Sequence, residues 1–235
     1  SLNLAHNENE VTRLSNDVFT MDKILLGDVF IRGGSSSGTH VLEEGRPIGQ
    51  FYGLVCNGID ENGRYIMVDK DGDGEISDPA DYDYIGSAQP KLTYGITNTF
   101  RYKNFDLSFF LRGTIGNDIL NATRMAYAQS GFLPGTNALD DPLTYTLSET
   151  PRFSNYYLEK GSFMRLDNLT LGYKIKALNG IRVYFTAQNL FVITKYKGLD
   201  PEVPMDSGDG LTPGVEPREF YPKARTFSVG LNLNF

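Results

Sequence analysis

The C-terminal stretch from Arg225 to Phe235, RTFSVGLNLNF, alternates strictly between apolar and small polar side chains. Successive side chains of a β-strand point to opposite faces of a sheet, so a period of two residues predicts a strand. The polar face carries Thr, Ser, Gly and Asn. The other face is apolar throughout and must lie against a protein core or against lipid. Its members are Phe227, Val229, Leu231, Leu233 and Phe235.

The same alternation recurs along the chain. In FDLSFFLRGTIGNDI the apolar face begins at Phe105 and extends to Ile119, and the opposite face includes Asp106 and Arg112. Similar patterns occur in KLTYGITNTFRY, LTLGYKI and IRVYFTAQNLFVI, and SLNLAH is typical of the end of another strand. These patterns predict an all-β, antiparallel chain. The predicted strands cover residues 1–6, 91–102, 105–119, 169–175, 181–193 and 225–235.

The connections between these strands are of two kinds. Only Lys103-Asn104 separates one pair, and Asn179-Gly180 in a second short connection favours a tight hairpin turn. The other connections are long and cover residues 10–90, 121–162 and 196–224. Because antiparallel strands run alternately up and down, the short turns all lie at one end of the sheet and the long loops at the other. This arrangement is typical of outer-membrane β-barrels.

Two fold classes can accommodate these strands. In a soluble β-sandwich with long insertions the apolar faces would form a core, whereas in an antiparallel transmembrane β-barrel they would face lipid. The segregation of short turns from long loops favours the barrel. Since the smallest membrane barrels use about eight strands, six can form only a section of a larger one. The soluble alternative is a calcium-stabilised β module that binds glycan or protein at the cell surface.

Composition excludes several classes of function. The net charge is -7 without a basic run, which excludes nucleic acid as a partner because phosphate binding needs clustered Lys and Arg. A single cysteine excludes a disulfide framework. The G-x-S-x-G, P-loop and H-E-x-x-H motifs are absent, so we expect no enzyme. The chain starts at Ser1 inside a predicted strand, so we expect one piece of a longer protein.

The first long connection contains an acidic segment over residues 60–83. The segment contains nine acidic residues but only two basic ones, Arg64 and Lys70. Clustered carboxylates without a counterion repel one another, which costs free energy. Within it, DKDGDGEISDPAD places three carboxylates at alternate positions and follows them with glycine, as calcium loops do. A solvated acidic turn without an ion is the alternative.

The calcium-loop spacing assigns the candidate ligands. Asp69, Asp71 and Asp73 are the side-chain ligands, and Glu75 offers its main-chain carbonyl from the seventh position. The twelfth position, where an acid is expected, is Ala80, and we expect Asp81 to supply the last ligand instead. Such a calcium ion would rigidify a surface loop. It would not act as a sensor, because no flanking helix pair is predicted.

Several stretches together resemble the C-terminal third of the SusC/RagA family of TonB-linked outer-membrane transporters. They follow the family's order over most of the chain from Gly45 to Phe235. The matching stretches are GRPIGQFYGLVCNGIDENGRY, DKDGDGEISDPADYDYIGSAQPKLTYGITNTFRYKNFDLSFFLRGTIGNDI, YLEKGSFMRLDNLTLGYKI, VYFTAQNLFVITKYKGLDPEV and FYPKARTFSVGLNLNF.

The resemblance implies that residues 1–235 are the C-terminal portion of a barrel of roughly 22 strands, whose plug and N-terminal strands lie outside this sequence. It implies a bacterial outer-membrane importer that works with the TonB complex, with the remaining plug and barrel polypeptide and with a SusD/RagB-like lipoprotein lid. The implied substrates are oligosaccharides or peptides. It also implies that the long loops are extracellular and that Phe235 is a signal for barrel assembly.

Overall fold

A computed structural model describes residues 1–32, 38–176, 181–202, 210–218 and 221–233. Most regular structure in these ranges is antiparallel β-sheet. Among the described residues, no helix is both long and apolar enough to cross a membrane. The elements are β1 (Leu2–Ala5), β2 (Lys23–Leu26), β3 (His40–Glu43), β4 (Gln50–Leu54), β5 (Cys56–Ile59), β6 (Tyr65–Met67), β7 (Tyr82–Ser87), β8 (Leu92–Tyr102), β9 (Phe105–Ile115), β10 (Asp118–Leu120), α1 (Ala122–Tyr127), α2 (Pro142–Thr146), a 3-10 turn (Asn155–Tyr157), β11 (Leu158–Lys160), β12 (Phe163–Ile175), β13 (Ile181–Thr194) and β14 (Thr226–Asn232).

The main sheet has six strands in the order β1-β8-β9-β12-β13-β14, and every pairing in it is antiparallel. Its register places most of the large apolar side chains of the six strands on one face, which we call the outer face. Leu171, for example, pairs with Leu107 on one side and with Phe185 on the other. Large apolar side chains on this face are exposed, which confirms the predicted alternation. They include Leu2, Leu4, Phe100, Phe105, Leu171, Phe185, Ile193, Phe227, Val229 and Leu231.

The opposite face of the sheet, which we call the polar face, carries charges and hydroxyl groups. Asp106 of β9 and Arg182 of β13 form a bidentate ion pair at 2.8 and 2.6 Å, although β12 lies between their strands. The pair can form because Gly172 of β12 lies beneath it. A Cβ atom at this position would collide with both charged side chains.

Two strand boundaries differ clearly from those expected. β12 begins at Phe163 rather than at residue 169. β9 ends at Ile115 because Gly116 turns the chain with a φ of 89°, so Ile119 lies buried in β10 instead of continuing the apolar face. The two-residue turn at Lys103-Asn104 is confirmed, with a φ of 54° at Lys103. The predicted turn at Asn179-Gly180 and the predicted assembly signal Phe235 lie outside the described residues.

The long connections are not irregular loops. They contain a four-stranded sheet, β2-β3-β4-β7, and the two-stranded pairs β5-β6 and β10-β11. Asn121 caps α1 by accepting from Arg124 N–H, and Asp141 caps α2 by accepting from Leu143 N–H. These elements, which we call the loop layer, share a buried core. It includes Phe51, Leu120, Met125, Phe153 and Tyr157.

Candidate functional site

The predicted calcium loop of the acidic segment, residues 69–81, lies between β6 and β7, and the structure brings three of its predicted ligands together. One carboxylate oxygen from each of Asp69, Asp71 and Asp81 lies within 4.8 Å of the others. Asp71 is exposed to solvent, whereas Asp81 is buried at the base of the loop. The spacing of these oxygens matches what a calcium ion requires, since Ca–O distances are about 2.3–2.6 Å.

Hydrogen bonds from the backbone determine the shape of this loop. Asp69 accepts from the N–H groups of Gly72 at 2.6 Å and Gly74 at 2.9 Å, and both glycines have a positive φ. Asp81 accepts from Ser77 N–H at 2.7 Å and from Lys70 N–H at 2.6 Å. These bonds hold the pKa of the Asp81 carboxyl below its ordinary value, because they favour the charged form.

The other acids of the segment have different roles. Asp73 lies outside the cluster, and its carboxylate accepts from Glu75 N–H at 2.8 Å. Asp78 pairs with Arg152 at 2.7 Å. Lys70 pairs with Asp83. The assignment of Asp73 and of the Glu75 carbonyl as ligands therefore stays a prediction, whereas Asp69, Asp71 and Asp81 form a compact group of three.

This group suits a hard cation. Three carboxylates supply the negative charge and the oxygen atoms that calcium prefers. Calcium takes six to eight oxygens, so backbone carbonyls and water would have to complete its shell. The cationic side chains of Lys70, within the loop, and of Arg152, far along the chain, are each paired with an acid outside the group of three.

A second cluster of charges lies on the polar face of the main sheet, where the sequence predicted no site. Arg112 of β9 and Arg165 of β12 are cross-strand neighbours. Arg112 binds Glu202 in a bidentate manner at 2.6 and 2.9 Å, and Arg165 binds Asp200 at 2.5 Å. The Arg165 and Asp200 side chains are only 2% and 5% exposed.

Bulges in the strands complete this cluster. Asp167 is the extra residue where the register of β12 shifts, and it accepts from Arg112 at 3.1 Å. Asn189 of β13 has a φ of 51° and contacts both Arg165 and the Lys223 carbonyl. Bulges re-aim side chains in this way, but an alternating pattern gives no sign of where they occur. The available sequence signal was a charged residue, Arg112, on the polar face of an otherwise regular strand.

Comparisons with known proteins connect this architecture to one group. TonB-dependent receptor SusC of Bacteroides thetaiotaomicron is 35% identical over 254 residues, which cover 100% of this chain and 24% of SusC. TonB-dependent receptor P3 of Formosa agariphila is 34% identical over 237 residues, 84% of this chain and 23% of P3. The solved structure of the RagAB peptide transporter aligns with a TM-score of 0.73 and 25% identity, over 98% of this chain and 26% of that chain.

The chain belongs to the SusC/RagA family of TonB-dependent receptors. It spans about a quarter of the length of the curated relatives it matches. No protein-family profile matches the chain. Its SusC and RagA relatives are transporters and receptors rather than enzymes, and the family lies in the outer membrane of Gram-negative bacteria. In a SusC/RagA-like receptor, the exposed apolar face of the main sheet is therefore the face that contacts lipid.

Proposed function

We propose that this chain is the C-terminal portion of the barrel of a TonB-dependent outer-membrane importer that takes up oligosaccharides or peptides. The observation that carries the proposal is the main sheet: six antiparallel strands with an exposed apolar outer face and a polar inner one. The similarity to SusC and to the RagAB peptide transporter supports nutrient uptake. TonB would act through the plug, which with the rest of the barrel belongs to the part of such a receptor outside this sequence.

A SusD/RagB-like surface lipoprotein is the partner that this proposal adds. The loop layer supports it, because a layer with its own buried core can present a stable surface at the mouth of a barrel. Under this assignment the loop layer is extracellular and the Lys103-Asn104 turn faces the periplasm.

Detergent extraction of the native protein, followed by mass spectrometry of everything that co-purifies, tests the proposal. We expect the plug-and-barrel polypeptide and a lipoprotein of the SusD type to purify with the chain. Recovery of a monomer that stays soluble without detergent would contradict it and would favour a soluble β module that binds glycan or protein. Growth of a deletion strain on single oligosaccharides or on peptides then separates the two substrate classes.

We also propose that residues 60–83 form a structural calcium site with Asp69, Asp71 and Asp81 as its side-chain ligands. The convergence of their oxygen atoms within 4.8 Å supports it. The ion would offset the repulsion among three carboxylates and would tie the tip of the segment to the buried Asp81 at its base. Its role would be to hold one arm of the loop layer in place.

Calcium titration of the purified complex distinguishes this ligand set from the one expected from sequence spacing. The variant Asp71→Asn removes a charged ligand, and we expect it to weaken calcium binding roughly tenfold or more. Asp73→Asn is the matched control, because Asp73 lies in the same loop but outside the group of three. Equal losses in the two variants would restore Asp73 as a ligand, and calorimetry without a binding signal in the unaltered complex would reject the site.

A further inference from the structure

The connection that follows β13, described over residues 195–202, 210–218 and 221–225 and called here the last loop, folds back over the polar face of the main sheet. Two acids of this loop, Asp200 and Glu202, contact Arg165 and Arg112 of the strands. Lys223, at the far end of the same loop, also reaches Glu202, at 2.5 Å. With Asp167, the cluster holds three cationic and three anionic side chains and is therefore balanced in charge.

The same loop is attached to the loop layer by backbone contacts. Leu120 N–H donates to the Gly214 carbonyl at 2.8 Å, and Glu216 N–H donates to the Leu120 carbonyl at 3.0 Å. The Pro213 carbonyl lies 2.9 Å from His40 Nε2. Val215 packs against the core of the loop layer. Residues 196–199 are attached to the loop layer as well, because Tyr196 packs against Ile119 and Leu199 N–H donates to Glu216 at 2.9 Å. Residues 200–202, in contrast, are held to the strands by the ion pairs of Asp200 and Glu202.

These two attachments differ in what opening them costs. Separating a packed apolar core exposes its side chains to water, at about 25 cal/mol per Å². Separating ion pairs returns each charge to water, and the regained hydration offsets most of the lost attraction. Buried ion pairs therefore specify a position more than they add stability. Glu202 illustrates the balance: burial alone would raise its pKa, but donors on Arg112 and Lys223 lower it overall.

We propose that Asp200 and Glu202 on the loop, with Arg112 and Arg165 on the strands, form a reversible ionic latch that holds the last loop against the inner wall of the barrel. The polar face is the inner wall only if the chain is part of a barrel, so the latch rests on the proposed function. Release of the latch moves residues 200–202 away from the wall and widens the passage there, while residues 196–199 and 213–216 stay with the loop layer.

Hydrogen exchange on the detergent-purified complex containing this chain tests the latch. In the double variant Asp200→Asn, Glu202→Gln we expect amide exchange at positions 200 and 202 to accelerate at least tenfold, whereas exchange in residues 196–199 should change little. Exchange in residues 213–216 and in β4 should be unchanged. The matched control is Asp106→Asn, which breaks a bidentate pair with Arg182 on the same face but does not contact the last loop. It should leave exchange in the last loop unaltered.

Two further measurements keep the latch falsifiable if the double variant assembles poorly. Raising NaCl from about 0.1 to 1 M should accelerate exchange at positions 200 and 202 of the unaltered complex, because salt favours separated charges. The charge swap Arg112→Glu with Glu202→Arg should restore slow exchange that Glu202→Arg alone abolishes. Exchange rates that change neither with salt nor with removal of the charges would overturn the latch. The loop would then be held in place by its backbone contacts. Failure of the proposed function would appear separately, as a complex that needs no detergent.

Discussion

The main sheet and the loop layer place their apolar side chains in opposite environments. In the sheet they point outward, and Val229 at the centre of β14 is 76% exposed. In the loop layer they point inward, and Phe51, Leu120 and Met125 are completely buried. In the proposed barrel the exposed face of the sheet would contact lipid, whereas the loop layer carries a core like that of a soluble protein. The stability of one region should respond to changes that the other tolerates.

The largest effect is expected in the core of the loop layer. Phe153 is buried beside Tyr82 and packs over Gly53, where a Cβ atom would collide with its ring. Phe153→Ala should lower the free energy of opening the layer by about 3–5 kcal/mol, because it leaves a cavity. Hydrogen exchange in β4 and β7 measures this change. The amides of β12 and β13 should keep their protection if the two regions are independent.

The control for this variant is Tyr145→Ala, which removes an exposed ring from the same layer. We expect it to change the opening free energy by less than about 0.5 kcal/mol. Equal effects of the two substitutions would mean that the layer has no cooperative core of its own.

The sequence predicted the sheet but not the layer, and the reason lies in the length of the strands. An alternating pattern can be recognised over the eleven residues of β8 or of β9. The strands β2 to β7 are three to six residues long, which is too short to show a period. The core of the layer also joins Phe51, Leu120 and Phe153, which lie far apart in sequence.

The two candidate sites, the acidic segment and the ionic latch, also differ in how far the sequence predicted them. The acidic segment is local, so its spacing predicted Asp69, Asp71, Asp73 and the Glu75 carbonyl as ligands, and Asp81 was expected in place of Ala80. The structure groups three of these side chains, those of Asp69, Asp71 and Asp81. The ionic latch joins Arg112 to a residue 90 positions away and Arg165 to one 35 positions away. Partners at such separations follow from strand order and bulges, which the sequence pattern does not encode.

On the outer face, the substitution expected to lower the stability of the sheet most is one that introduces a charge. Val229→Lys would be nearly neutral at an exposed position of a soluble protein, but near the middle of a bilayer it should cost about 2–4 kcal/mol. Unfolding of the receptor from lipid vesicles by urea measures the difference. Ser228→Lys places the same charge one residue away on the polar face and should cost less than about 1 kcal/mol. Similar small effects in both variants would contradict the lipid-facing assignment.

A smaller effect is expected on the polar face, at Gly172. Gly172→Val should displace the Asp106–Arg182 pair and destabilise the sheet by about 1 kcal/mol, since the gain in strand propensity offsets part of the loss. Urea unfolding in vesicles again measures the change. In an Asp106→Asn background the same substitution should cost clearly less. An undiminished cost there would assign the effect to backbone strain rather than to the ion pair.

The smallest effect concerns the acidic segment, which differs from both regions because backbone hydrogen bonds to carboxylates determine its shape. The pKa of Asp81 is lowered in the folded loop, so the stabilisation it gives is present above its unfolded pKa of about 3.8 and is lost as pH falls through the folded value. Hydrogen exchange of Lys70 and Ser77 should accelerate over that acidic range without calcium, and Asp81→Asn should flatten the pH dependence. If calcium slows exchange at neutral pH in the unaltered complex but not in this variant, Asp81 acts as a ligand as well as an acceptor for the backbone. If calcium leaves the exchange rates unchanged in both the unaltered complex and the variant, hydrogen bonding to Asp81 alone accounts for the order of the loop.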